Sequence, residues 1–167
     1  MLRKYDPDGY RGLQVLDDSS IVAYGKAMGY LLRTMSDLAC AIMVVDPSSS
    51  EAKRAYEDVV VTAPESIQTT MLSVFYRAMV VGRQRHEFPP TDGQAMRAAL
   101  RSYQGTLSRS DSARLEPVIE GGLRALDPVD GCWASRLLWD QMPLTMPRHE
   151  AATILRWLSI PDLDPIG

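Results

Sequence analysis

The sequence predicts an all-α protein: a single globular helical bundle, residues 1–167, of about six to seven helices around a long central helix at about 20–45. Three observations carry this. Ile21, Tyr24, Met28, Leu31, Met35, Leu38, Ile42 and Val45 recur at alternating spacings of three and four, one continuous apolar stripe on a helix. No stretch shows the strict alternation of a half-buried strand, and no internal repeat is visible. Turn and cap signatures cut the rest of the chain into segments of helical length.

Taken in order, residues 1–19 read as an irregular N-terminal arm. Asp6-Pro7-Asp8-Gly9 is a turn signature. As a calcium loop it fails, because the glycine comes too early and no alternating acids follow. Asp17, Asp18, Ser19 and Ser20 then offer N-caps for the central helix. Within that helix Lys26, Arg33, Ser36 and Asp37 gather on a thin polar back, so neighbours should bury most of it. Gly25 and Gly29 lie on one face, and each costs a helix about 1 kcal/mol relative to alanine. The compensation expected is close approach of another part of the same chain, with a homodimer seam as the alternative.

Asp46-Pro47-Ser48 ends the central helix, and Ser49–Val61 opens as a helix before the β-branched run Val59-Val60-Val61. Thr62-Ala63-Pro64-Glu65 has the form of a capping box for a helix over 64–85, with Ile67, Met71, Val74, Phe75, Ala78 and Val81 on its inner side. Glu87 to Gly93 is a loop, and a sub-division of the bundle is expected near 87–92. Thr91 or Asp92 caps a helix to Tyr103, and Gly105 stops it. Ser108 or Ser110 starts another, with Leu115, Val118, Ile119, Leu123 and Leu126 as its stripe and Pro117 at its first turn or at a kink. A helix over 131–141 is apolar nearly all round, so it is either enclosed or exposes a patch for a partner. Thr145 and Pro147 open the last helix, to Leu158, and 159–167 is a Pro-punctuated C-terminal tail.

Composition excludes several roles. A formal net charge of −3 argues against a dedicated nucleic-acid binder. Lys26, Arg33 and Asp37 interrupt the most apolar stretch, so it is not a plain membrane helix. Lys4, Asp6 and Asp8 stand where a signal peptide needs its apolar run, which points to a cytoplasmic protein. Cys40 and Cys132 lie in apolar helical contexts without metal spacing and read as buried free thiols in a reducing compartment.

Catalytic patterns are missing. Each histidine sits in an Arg-His-Glu triplet, at Arg85-His86-Glu87 and Arg148-His149-Glu150, and neither continues into a zinc-hydrolase spacing. No serine lies in a nucleophile elbow, and Gly121-Gly122 falls in a helical pattern rather than after a strand. Leu144-Thr145 with Glu150-Ala151-Ala152-Thr153-Ile154-Leu155 resembles the first helix of an excisionase-type helix-turn-helix. That resemblance would imply DNA binding. The acidic, Pro-rich Ile160–Pro165 follows where a recognition helix would stand, so the motif lacks its reading element.

These readings favour a non-enzymatic interaction protein that inhibits, neutralises or escorts another protein, without a cofactor, metal or catalytic residue. The candidate partner-binding residues are Trp133, Trp139, Met142, Arg83, Arg85 and His86, and a homodimer is the other assembly expected. The alternative is an enzyme or ligand-binding bundle whose site is assembled around His86 and His149, with Arg83 and Tyr76 nearby.

Overall fold

The computed structural model describes residues 7–47, 49–84 and 92–159. Among them the structure is helical and contains no strand, as expected from the sequence. The helices are α1 (Pro7–Leu13), α2 (Asp18–Thr34), α3 (Asp37–Val45), α4 (Ser50–Thr62), α5 (Glu65–Gln84), α6 (Gly93–Gln104), α7 (Arg109–Gly121), α8 (Pro128–Arg136), α9 (Met142–Thr145) and α10 (Arg148–Leu158). A 3-10 turn, Leu123–Ala125, follows α7, and a π-helical turn, Leu137–Gln141, joins α8 to α9. Arg85 and His86, the expected sub-division over 87–91, and the tail from 160 onward lie outside the described residues.

The long central rod is two helices, not one. Met35 (φ −64°, ψ 147°) and Ser36 (φ −62°, ψ 157°) are extended, and the Ser36 hydroxyl accepts from the Ala39 N–H to start α3. The break exposes carbonyls at the end of α2. Arg136 takes them: its guanidinium donates to Leu32 O at 2.9 Å and Met35 O at 2.7 Å, and it also reaches Asp37 Oδ1 at 2.5 Å. A local cap and a distant arginine together outweigh the continuous stripe.

The N-terminal arm is not irregular throughout, since Pro7–Leu13 forms α1. Its glycines let it lie directly on α5. A Cβ on Gly9 would sit 2.6 Å from the Phe75 ring, one on Gly12 would overlap the Ala78 carbonyl, and one on Gly82 would overlap the Asp8 carbonyl. Tyr10 closes the contact edge-on to Phe75, at 5.8 Å between centroids.

Helix α2 packs against α5, α8, α10 and the π-helical turn. Gly25 meets the Leu155 side chain of α10, while Gly29 lies under the backbone of Trp139 and Asp140, so both glycines serve crossings within the chain. The π turn has a local cause. Pro143 has no N–H to offer the Trp139 carbonyl and would clash with it in a regular helix, so the chain widens and Met142 N bonds Leu137 O instead. Trp139 O is thereby left beside Gly29. Tyr24 of α2 meets Trp139 edge-on at 6.2 Å.

Other boundaries differ in detail. Thr62 ends α4 rather than capping α5, because its hydroxyl donates back to Asp58 O and Val59 O. Pro117 lies inside α7, and Gly122 (φ 73°) stops that helix before Leu123 and Leu126 can extend its stripe. Asp92, Ser108 and Asp127 cap α6, α7 and α8 through their side chains. The buried cluster runs from Leu13 through Ile21, Leu31, Met71, Leu100, Leu115 and Leu138 to Ile154, Leu155 and Trp157.

The cysteines are joined. Cys40 of α3 and Cys132 of α8 form a disulfide with a Cα–Cα distance of 5.5 Å, which corrects the expectation of two free thiols. Packing of α3 on α8 brings the two within ordinary bonding range across a sequence separation of 92.

Candidate functional site

Helix α3 is apolar from Leu38 to Val45, yet only Cys40 is buried. The burial pattern follows from the wheel. Cys40 and Val44 point to α8, where Val44 lies against Gly131, and Ala39 and Met43 pack on the core. The remaining face carries Leu38, Ala41, Ile42 and Val45, at the spacing of one stripe. Leu38 is 73% exposed and Val45 64% exposed, with Ala41 and Ile42 half-buried between them. Leu38, Ile42 and Val45 belong to the stripe that the sequence assigns to the core. The turn at Met35–Ser36 carries them out of it.

Beside α3 a groove of about 320 Å³ is lined by Asp37, Arg114, Val129, Cys132, Trp133, Arg136, Leu137 and Gln141. Its charged groups are paired. Arg114 stacks over Trp133 at 4.2 Å from the ring centroid and holds Asp130 Oδ1 through Nε at 2.7 Å and through its terminal nitrogen. Arg136 holds Asp37. What the groove offers is therefore the Trp133 indole and Val129, which is 71% exposed, framed by fixed ion pairs. Geometry of this kind suits an apolar side chain entering between polar rims.

The expected partner-binding residues do not converge here. Trp133 lines the groove. Trp139 and Met142 are buried in the core, the first against Tyr24, and offer no surface. Arg83 faces α1, with Nε 3.7 Å from Asp8 Oδ2. Arg85 and His86 fall outside the described residues. Of the residues named for the alternative, His149 is exposed in the first turn of α10 and Tyr76 is exposed on α5. Among the described residues no group of three or more His, Cys, Asp or Glu could hold a metal ion, and no helix is long and apolar enough to cross a membrane.

Sequence reasoning missed Leu38, Ile42, Val45 and Val129. The signal available was Ser36-Asp37, a capping pair inside the long stripe. Nothing local marks the Arg114–Trp133 stack. Compared with protein-family models, with curated proteins and with solved structures, the chain matches none.

Proposed function

We propose that this protein is a non-enzymatic interaction module that binds another protein and modulates it, by inhibiting, neutralising or escorting it. The binding face is the outer row of α3, Leu38, Ile42 and Val45, with the adjoining groove at Val129 and Trp133. The observation that carries this is the solvent-facing apolar row on α3, a helix with no charged residue between Asp37 and Asp46. The exposed apolar residues of α5, Leu72, Tyr76 and Val80, share their surface with exposed Ser73 and Arg77. A rigid row beside a pocket with an aromatic wall is the usual form of an anchor site for a partner's apolar side chains. The expected cytoplasmic location loses one premise, because the thiols that suggested a reducing compartment are joined.

The test is capture of partners from the native host with the intact chain as bait, read by mass spectrometry. A Leu38→Glu/Val45→Glu double variant should lose the partner that the unaltered chain retains. Leu72→Glu should keep it, and both variants should melt with the parent, since all three side chains face water. Retention of the partner by the double variant refutes the proposal.

A further inference from the structure

The disulfide joins the proposed binding face to the body of the protein where α3 packs on α8, the most extensive of its contacts with α8, α4 and the 3-10 turn. Helix α3 has nine residues, too few to persist as a helix on its own. Its noncovalent anchors are shallow. Val44 rests on Gly131, Ala39 and Met43 are partly buried, and Asp37 meets Arg136 with its own side chain 91% exposed. The single buried residue is Cys40, and its sulfur is bonded to Cys132. Cys132 in turn lines the groove and is 4% exposed against 0% for Cys40, so its side of the bond is the one nearer solvent.

From this arrangement we infer that the Cys40–Cys132 bond is a redox latch on α3. In the oxidised protein it fixes Leu38, Ile42 and Val45 as a rigid row beside the groove. In the reduced protein α3 leaves α8 and the row is lost. The effector is a dithiol reductant. One of its thiolates attacks Cys132 Sγ through the groove, the S–S bond breaks, and the electron pair leaves on Cys40 Sγ, which takes up a proton. The reductant's second thiol gives up its proton and displaces Cys132 as a thiolate, which is protonated in turn. The protein gains two electrons and two protons, and the dithiol departs as its own disulfide. The consequence for partner binding rests on the proposed function, because a preformed row binds with less ordering cost than a loose segment. The latch itself does not.

The experiment compares the intact chain after oxidation with diamide and after reduction with dithiothreitol, by peptide-resolved hydrogen exchange and thiol alkylation. Oxidised protein should resist alkylation. On reduction, amides of Asp37–Val45 should exchange at least about tenfold faster, while those of Arg148–Leu158 stay unchanged. Cys40→Ser, without reductant, should reproduce the fast exchange. Equal protection of α3 in both states overturns the latch. So does loss of protection throughout the chain, which would make the bond a staple for the whole fold, or alkylation of both cysteines after oxidation. Partner capture in the two redox states then separates the ideas. If α3 loosens and the partner stays bound, the latch stands and the assignment of the binding face falls.

Discussion

Replacing Gly29 with alanine tests how closely α2 is fitted to the π-helical turn. The new Cβ would lie 2.5 Å from Trp139 O, 2.6 Å from Asp140 Cα and 2.7 Å from Trp139 C, where ordinary contact begins at 3.4 Å. All three neighbours are backbone atoms, so no side-chain rotation relieves the overlap. Something must move by roughly 1 Å, and the π turn is held in place by Pro143. Alanine itself favours the helix by about 1 kcal/mol. Against that stand an overpacking cost of about 1–3 kcal/mol and part of the Tyr24–Trp139 edge contact, about 1 kcal/mol. The Arg33–Asp140 pair, at 2.7 Å, adds little because Arg33 is more than half exposed. The expected net loss is about 2 kcal/mol, or a fall in Tm of about 4–8 °C for a chain of this size. Urea titration and thermal melting by circular dichroism measure it. Gly25→Ala is the graded control, since its nearest neighbours are the Leu155 methyls, also at 2.5 Å but free to turn. Gly105→Ala is the neutral control, with ordinary backbone angles (φ −64°) and its nearest atom at 3.4 Å. If Gly29→Ala is as stable as Gly105→Ala, the close crossing described here is wrong.

Other outcomes follow from particular groups. Arg136→Ala strips two carbonyls and Asp37 of their donor and should cost about 2–3 kcal/mol in denaturant unfolding, with Arg136→Lys recovering only part of it. Burial pushes Tyr56 and Tyr103 up to about 12 from 10.0, so between those pH values the unfolded chain releases protons the folded chain keeps. Stability should therefore decline with rising pH across that window, and Tyr56→Phe should soften the decline in urea titrations taken at intervals across it. The Asp17 carboxylate is held below its ordinary 3.8 by the Ser20 hydroxyl and backbone N–H, and then by Arg77. Its capping contribution is present above that value and fades as the pH falls through the lowered pKa, so Asp17→Ala should cost about 1 kcal/mol at neutral pH and progressively less in acid.

How far the sequence reaches is clearest at the helix ends. Asp92 and Ser108 are legible because a cap acts within three residues of itself, and the Pro147 start of α10 because proline fixes its own φ. The Gly25–Gly29 pair was readable as a crossing for a similar reason, since an uncompensated glycine in a helix has a local cost. Helix α1 was missed although Pro7 and Asp8 carry a helix-start signal. Seven residues show too little periodicity to outvote a turn signature, and the helix persists because Gly9, Gly12 and Gly82 let it lie on α5. At the candidate site the outcome was opposite. Leu38, Ile42 and Val45 were read as core because periodicity reports which residues share a face, not what that face meets.

Alone, the order of residues determined that this chain is helical, where its caps fall and which side chains line up, since each depends on neighbours within a turn or two. Tertiary packing alone decided the rest. It set a guanidinium from α8 on the carbonyls that end α2, so that the rod could turn at Met35–Ser36. It brought Cys40 to Cys132, and it left an oily helix face in water beside a tryptophan-walled groove. Such pairings join groups about a hundred residues apart, and short-range pattern has no term for them.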